Sequence, residues 1–310
     1  MGIKSKEKNF LSAVVYVRNR EKQIADFLKR LDSVLVDNFE KYEIICVNDA
    51  STDGTKERIK SLVEPGKKSA ITILNMSFYQ GLESSMNAGM DLAIGDFVFE
   101  FDTIDMDYPI DTIMQVYRRT MEGHDIVSAA PQSNRGVTSD LFYSVFNKHT
   151  NYAYKLKTEA FRVLSRRAIN RITSMNKTIP YRKAIYANCG LSCDTIYYTA
   201  DSKVKSVTED KKHRRELAID SLMLFTDVAY KFAVTMTALM MVVTVLVAIY
   251  AVAIFVMRIP IAGWTTTILF LAFSFFGLFG ILTIVIKYLS ILVNLVFKKQ
   301  KYTFESIEKL

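Results

Sequence analysis

The chain has 310 residues, a net charge of +8 and 50% hydrophobic residues. Its positive charge is compatible with nucleic acid, but two long uncharged stretches near the C-terminus make an anionic membrane surface the simpler partner, and we predict no nucleic-acid binding. The three cysteines, Cys46, Cys189 and Cys193, lack metal-ligand spacing and are expected to be reduced thiols.

The first 130 residues alternate segments with strand character and segments with helix character. Predicted strands cover 11–17, 42–47, 71–76, 97–101 and 125–130, and predicted helices cover about 21–35, 81–94 and 109–122, with another beginning near 56. Such alternation indicates an α/β fold with a mainly parallel sheet that helices cover on both faces.

An acidic cluster follows the predicted strand at 97–101, where Asp102, Asp105 and Asp107 crowd together. Ligands of open α/β sheets bind outside the carboxyl ends of the strands, so a ligand is expected here. Carboxylates suit Mg²⁺ or Mn²⁺, which bridges them to a diphosphate. The alternative is a polar loop with solvated carboxylates.

Residues 132–171 are less regular. A turn-rich loop is predicted at 132–139 and a helix at 140–154. Residues 161–171 carry four arginines among apolar side chains. This segment is either an amphipathic helix with a solvated face or an anion clamp, because guanidinium groups match phosphate oxygens.

The C-terminal part contains two uncharged stretches, 232–257 and 259–286. Each exceeds the roughly 20 residues that span a bilayer, so we predict transmembrane helices at about 232–257 and 264–286 rather than a pair of buried core helices. Basic residues flank the pair and are nearly absent between the helices, which places both termini in the cytoplasm. These residues are Lys203, Lys205, Lys211, Lys212, Arg214, Arg215 and Lys231 before the pair and Lys298, Lys299 and Lys301 after it.

Four parts follow from this pattern. A cytoplasmic domain covers 1–210, an amphipathic juxtamembrane helix 211–230, the membrane helices 231–288 and a cytoplasmic interfacial tail 289–310. Two-helix tethers often associate, so a homo-oligomer is compatible with this arrangement.

Three segments together resemble a known family. They are Val47-Asn-Asp-Ala-Ser-Thr-Asp-Gly-Thr55, the stretch from Gly95-Asp96 through Asp102 to Pro109, and Phe161-Arg-Val-Leu-Ser-Arg166. They resemble the inverting family-two glycosyltransferases of GT-A fold, in particular the membrane-tethered polyprenyl-phosphate (bactoprenol or dolichol) sugar transferases. The two closing spans match the usual end of that branch.

The resemblance implies a nucleotide-sugar site. Asp49 would contact the nucleobase, Asp53 would shape the pocket, and Gly54 would permit the tight turn. Without the family, the same residues read as an ordinary helix N-terminus. The segment that ends the first strand would contribute Tyr16, Arg18, Asn19 and Glu21, with Arg18 in place of the family's usual tyrosine.

The resemblance also implies catalytic and acceptor residues. Asp102 matches the first aspartate of the family's Asp-x-Asp metal motif, but Ile104 replaces the second, which leaves a shifted Asp105 or Asp102 alone as metal ligand. Glu159 stands one place before the position where an acidic residue often precedes the Phe-Arg pair, and Ala160 occupies that position. The implied catalytic residues are thus Asp102, Asp105, Glu159 and Arg162, and the implied acceptor-phosphate ligands are Arg162, Ser165 and Arg166.

The expected function is transfer of a sugar from a nucleoside-diphosphate donor to a polyprenyl phosphate, with inversion. A lipid phosphate is already an anion and needs no strong base, which agrees with the missing acid at Ala160. Two alternatives stay open: a transferase that extends a lipid-linked saccharide, and a non-catalytic protein that binds a nucleotide sugar.

Overall fold

The computed structural model describes residues 5–63, 70–132, 137–150, 154–175, 181–201, 211–257, 263–297 and 302–310. Contacts divide the chain into two units. The first consists of Met1–Leu217 and Gln300–Leu310, and the second of Ala218–Lys299. The predicted residues Lys203, Lys205, Lys298, Lys299 and Lys301 lie outside the described residues.

The first unit contains an eight-stranded sheet in the order β7-β5-β6-β4-β1-β2-β3-β8. The strands are β1 (Leu11–Val17), β2 (Tyr42–Asn48), β3 (Ile71–Met76), β4 (Phe97–Phe101), β5 (Ile126–Pro131), β6 (Phe161–Ser165), β7 (Cys193–Tyr198) and β8 (Phe304–Lys309). The helices are α1 (Glu21–Asn38), α2 (Thr55–Lys60), α3 (Leu82–Leu92), α4 (Thr112–Met121), α5 (Val137–Lys148), α6 (Arg166–Met175) and α7 (Arg182–Asn188), and α8 (Lys211–Phe225) follows them. Pairing is parallel for β1 with β2 and β4, β2 with β3, and β5 with β7. The predicted α/β fold with a mainly parallel sheet is therefore confirmed.

The centre of the sheet is buried on both faces. In β1, both the odd positions, such as Val15, and the even position Val14 have no exposed surface. Helix α3 packs closely on this centre through Gly89, where an added Cβ would lie 2.4 Å from Val14 Cγ1 and 2.6 Å from Val47 Cγ2. A continuous apolar strand and a small residue on the facing helix thus set the distance between the two layers.

A topological switch point lies between β1 and β4. The chain moves from β1 to β2 and β3 on one side, and returns to place β4 on the other side. In the parallel register Val15 pairs with Phe101. The residues after β1 and the residues after β4 therefore meet at the same carboxyl edge, which is where open α/β sheets bind ligands.

The structure corrects the prediction for residues 161–171. The segment is not a single amphipathic helix, because Phe161–Ser165 forms β6 between β4 and β5, antiparallel to both. The helix α6 begins only at Arg166. Periodicity alone misleads here, since Arg162 lies in a strand that is covered on both faces and is only 1% exposed.

The structure also corrects the prediction of an interfacial tail at 289–310. Phe304–Lys309 forms the edge strand β8, antiparallel to β3, with Leu74 opposite Ile307. The carboxylate of Glu308 accepts ion pairs from Lys56 at 2.7 Å and Lys60 at 2.6 Å. The end of the chain therefore belongs to the sheet.

The second unit contains two long helices, α9 (Val228–Met257) and α10 (Trp264–Phe297). One segment of the described residues, Val228–Val247, is long and apolar enough to cross a membrane, and none of it is buried. A second apolar segment, Phe273–Leu289, is shorter. One candidate span is thus found where two were predicted, and the second stays a prediction.

Candidate active site

The loops after β1 and β2 bind each other at the carboxyl edge of the sheet. Asn19 adopts a left-handed conformation with φ of 49°, and its Oδ1 accepts a hydrogen bond from Thr52 N at 2.8 Å. Glu21 N donates to Asp53 Oδ2 at 3.2 Å, and Gly54 N donates to Glu21 Oε2 at 3.3 Å. The structure brings these predicted residues together, and their contacts join the loop after β1 to the loop after β2.

Asp49 holds the start of α3. Its Oδ1 accepts from Gln80 N at 2.9 Å, and its Oδ2 accepts from Gly81 N at 2.9 Å and from Tyr16 Oη at 3.0 Å. Burial, followed by the charge of Asp49, raises the pKa of Tyr16 far above its usual value. Asp49 has no exposed surface. Both oxygens of Asp49 are engaged by the chain itself in this structure, and the predicted contact with a nucleobase stays a prediction.

Arg18 follows β1 directly, and one nitrogen of its guanidinium group lacks a hydrogen-bond partner among the described residues. Its guanidinium carbon lies 3.5 Å from the centre of the Tyr79 ring. Its Nη1 is buried and has no hydrogen-bond partner among the described residues. Leaving a buried donor unpaired is costly, so such a group calls for a partner such as an ordered water, an ion or a ligand. A guanidinium nitrogen at the carboxyl edge suits a phosphate oxygen.

Arg162 joins three carboxylates beneath the end of β4. Nη1 donates to Glu100 Oε2 at 2.6 Å, Nη2 to Asp102 Oδ2 at 2.8 Å and Nε to Glu159 Oε2 at 3.1 Å. The Arg162 side chain is 2% exposed, and the Glu100 side chain has no exposed surface. Three charge-assisted bonds offset the burial of this guanidinium.

Arg182 lies on the other side of the same carboxylates. Nε donates to Glu83 Oε2 at 2.9 Å, Nη2 donates to Asp102 Oδ1 at 2.7 Å, and Nη1 lies 3.1 Å from Glu100 Oε1. Tyr186 Oη also donates to Glu100 Oε1, at 2.7 Å. Arg182 was not predicted from the sequence, where the only signal for it is a pair of basic residues at the start of the short helix α7.

Burial would raise the pKa of Asp102, but the charges of Arg162 and Arg182 outweigh it and hold that pKa well below its usual range. Asp102 is therefore ionised throughout the physiological range. Its side chain remains 15% exposed, more than the side chains of Arg162, Glu100 and Glu159.

The residues present do not fit a divalent cation at the predicted ligands. Both oxygens of Asp102 already accept bonds from arginine. Ile104 is 4% exposed and belongs to the apolar core. Asp105 Oδ2 is buried without a hydrogen-bond partner, but one carboxylate is a poor site alone. Over the described parts of the chain, no three His, Cys, Asp or Glu side chains are grouped to hold a metal ion. The predicted metal ligands Asp102 and Asp105 therefore stay a prediction that this arrangement of side chains does not support.

The predicted acceptor-phosphate ligands are not brought together. β6 runs antiparallel to β4 and places Ser165 opposite Phe97, at the amino end of that strand. Four residues of strand separate this end from Phe101, about 13 Å. Arg166 Nε donates to the carbonyl of Gly95 at 2.9 Å. Ser165 and Arg166 therefore lie where α6 begins, at the amino end of β4 and away from its carboxyl end. Arg162 is too buried to reach an acceptor.

A family model described as glycosyl transferase family 2 matches residues 12–178, which is more than half of the chain. The chain belongs to glycosyl transferase family 2. The matched stretch includes the loops after β1, β2 and β4 and the whole of β6.

Three relatives show which kinds of glycosyltransferase the chain resembles. An uncharacterized glycosyltransferase of Synechocystis is 29% identical over 205 residues, which are 64% of this chain and 64% of the relative. A prophage bactoprenol glucosyl transferase homologue of Escherichia coli K12 is 28% identical over 64% of this chain and 66% of the relative. The bactoprenol glucosyl transferase of Shigella phage SfV is 27% identical with the same coverage. The chain thus spans just under two thirds of these relatives' lengths, and the resemblance to this family and branch is confirmed.

Solved structures support the fold. Glucosyl-3-phosphoglycerate synthase from Mycobacterium tuberculosis, crystallised with Mn²⁺, uridine diphosphate and phosphoglyceric acid, matches with a TM-score of 0.50 at 14% identity. The match covers 69% of this chain and 76% of the synthase. At this identity the similarity concerns the GT-A fold.

Proposed function

We propose that this family-two glycosyltransferase moves a sugar from a nucleoside-diphosphate donor to a polyprenyl phosphate, with inversion, at the cytoplasmic face of a membrane. The relatives named as bactoprenol glucosyl transferases support the acceptor class. The observation that carries the donor site is the buried, unpartnered Nη1 of Arg18 at the switch point of the sheet.

Arg18 would bind the diphosphate of the donor. A guanidinium held against the Tyr79 ring is oriented before the ligand arrives, so less conformational freedom is lost on binding. As the bond to the sugar breaks, negative charge accumulates on the diphosphate, and a fixed cation stabilises it most in that state. Asp102, whose side chain is 15% exposed, would accept hydrogen bonds from donor hydroxyl groups.

The contacts of Glu159 favour an acceptor that needs no strong base. Glu159 is 4% exposed and accepts bonds from Arg162 Nε at 3.1 Å and from Tyr154 Oη at 3.2 Å. A carboxylate engaged in this way is poorly placed to remove a proton from a sugar hydroxyl, whereas a lipid phosphate carries its negative charge already. We propose that Glu159 supports Arg162 rather than acting as a catalytic base.

Lys183 is the proposed cation for the acceptor phosphate. Its Nζ lies 3.8 Å from Glu159 Oε2, and its side chain is 13% exposed, more than either buried arginine. Burial would lower the pKa of Lys183, but neighbouring groups, Tyr143 first and then Glu159, outweigh it and raise that pKa. The ammonium therefore keeps its charge at neutral pH, as an anionic acceptor requires.

The membrane arrangement is part of the proposal. The helices α9 and α10 have 30 and 34 residues, and at about 1.5 Å per residue each is longer than a bilayer core. We propose that both cross the membrane and that the sheet domain stays in the cytoplasm. The GT-A structure with Mn²⁺ and uridine diphosphate suggests a divalent cofactor for this fold, although the described residues of this chain offer it no ligand set.

The experiment uses the purified full chain in detergent, polyprenyl phosphate and a panel of nucleoside-diphosphate sugars, with extraction of the labelled lipid. We expect one donor to give a glycosylated lipid phosphate. Arg18→Gln should slow this transfer about 10- to 100-fold, the range for loss of a hydrogen bond to a charged group. The exposed Arg30 provides a matched control, since Arg30→Gln should leave the rate unchanged.

The other outcomes decide between the alternatives. Turnover on a lipid-linked saccharide, without product on the bare lipid phosphate, would replace the proposed acceptor. An absence of product on both acceptors, with nucleotide still bound, would indicate the non-catalytic alternative.

A further inference from the structure

We propose that this chain binds its nucleoside-diphosphate donor without a divalent cation, because Arg162 and Arg182 supply from within the protein the positive charge that Asp102 would otherwise share with a metal ion. The inference rests on the proposed donor site and concerns the cation requirement of that site.

The first support is the occupancy of the carboxylate. Asp102 Oδ2 accepts from Arg162 Nη2 at 2.8 Å, and Oδ1 accepts from Arg182 Nη2 at 2.7 Å. A hard divalent cation binds carboxylate oxygen at about 2.0–2.6 Å. It would compete for the same oxygens and would lie against two guanidinium groups of like charge.

The second support is that other carboxylates hold both arginines in place beside Asp102. Arg162 is also bound to Glu100 and Glu159, and Arg182 is also bound to Glu83 and Glu100. Both side chains are at most 2% exposed. Arginine does not lose its proton in proteins, so both positive charges persist at every pH at which the chain is folded.

The third support is the absence of a second ligand where one is needed. Ile104, two positions after Asp102, is 4% exposed and packs in the apolar core. Its side chain offers no oxygen. Hard divalent cations in nucleotide sites use one or two carboxylates together with substrate phosphates, and here both oxygens of Asp102 are already paired with arginine.

These observations give the arginines a specific role. A bare carboxylate beside the crevice would repel a diphosphate, and a metal ion ordinarily removes that repulsion. Here Arg162 and Arg182, which bind the two oxygens of Asp102, weaken that repulsion, and Arg18, with its unpartnered Nη1, supplies the attraction. Arg162 and Arg182 are positioning residues in this account, since they act through Asp102.

The test is calorimetric titration of the full chain in detergent with uridine, guanosine and thymidine diphosphates, in excess EDTA and again in Mn²⁺. We expect one nucleotide to bind with the same affinity in both conditions. Binding that appears only with Mn²⁺ would overturn the inference and leave the proposed function intact. Absence of binding in both conditions would overturn the donor site, and the inference with it.

A designed variant tests the same idea in the opposite direction. The double substitution Ile104→Asp with Arg182→Met supplies a second carboxylate and releases one oxygen of Asp102. We expect it to bind Mn²⁺, seen as loss of the free-ion signal in electron paramagnetic resonance, while the wild-type chain leaves that signal unchanged. Circular dichroism shows whether the variant is folded. Mn²⁺ bound by the wild-type chain at Asp102, and lost in Asp102→Asn, would contradict the proposal even if the double variant fails to fold.

Discussion

Replacing Arg162 by methionine should destabilise the sheet domain severely. Methionine fills a similar volume but leaves Glu100, Asp102 and Glu159 without a shared cation. Removing one partner of a buried ion pair costs about 3–5 kcal/mol, because the remaining charge is buried and uncompensated. Glu100 keeps its contact with Arg182 at 3.1 Å, which limits the loss, so we expect about 4 kcal/mol.

The assay is thermal unfolding of the full chain in detergent, followed by circular dichroism. For a domain of this size, about 1 kcal/mol corresponds to 2–4 °C, so the midpoint should fall by roughly 8–16 °C. Arg30→Met is the matched control, because Arg30 and Asp26 pair at 2.9 Å with side chains 58% and 69% exposed. Loss of such a pair costs about 0–1 kcal/mol.

The double variant Arg162→Met, Glu100→Gln sharpens the test. Removing the charge of Glu100 together with that of Arg162 relieves the uncompensated charge. The loss of stability in the double variant should therefore be smaller than the sum of the losses in the two single variants. If Arg162→Met lowers the midpoint no more than Arg30→Met does, the buried network described here does not exist.

Three further predictions concern the sheet and its edge. Gly89→Ala should lower the free energy of unfolding by about 1–3 kcal/mol, because the added Cβ meets two valine side chains. Gly280→Ala, whose added Cβ meets nothing within 4 Å, should leave the stability unchanged. Chemical denaturation measures both variants. Deleting 302–310 should weaken nucleotide binding measured by calorimetry, because this segment bonds to the side chain of Gln80 beside the pocket; unchanged affinity would show that the segment is independent of the site. Hydrogen bonds from two lysines of α2 lower the pKa of Glu308 from 4.5 to about 2. The ion pairs of Glu308 therefore stabilise the folded chain fully above pH 4.5, and this stabilisation is lost as the pH falls toward 2. Glu308→Gln should remove that part of the acid dependence, and an unchanged pH profile of unfolding would contradict the ion pairs.

The first half of the sheet was predictable from the sequence because its strands are continuous apolar runs between helices of clear periodicity. The predicted strand at 71–76 coincides with β3. β6 was not predictable, because Arg162, its second residue, reads as a solvated position until the carboxylates that surround it are known. β8 was missed for a different reason: an edge strand is short, mostly polar and far in sequence from its partner.

The candidate site was predictable in part. The family resemblance assigned the polar residues after β1 and β2 to one nucleotide site, and parallel strands do bring these carboxyl ends to one side of the sheet. Their partners were not predictable: Asp49 is committed to the start of α3, and Asp102 to two arginines from distant segments. Arg182 lies 80 positions after Asp102, and local pattern carries no information about such a pair.

The most direct test of the account is an experimental structure of the chain with the nucleoside diphosphate that binds it. We predict that the diphosphate lies at the carboxyl ends of β1 and β4, with a phosphate oxygen within hydrogen-bond distance of the partly exposed Arg18 guanidinium. A nucleotide bound elsewhere, with Arg18 still unpartnered, would contradict the account.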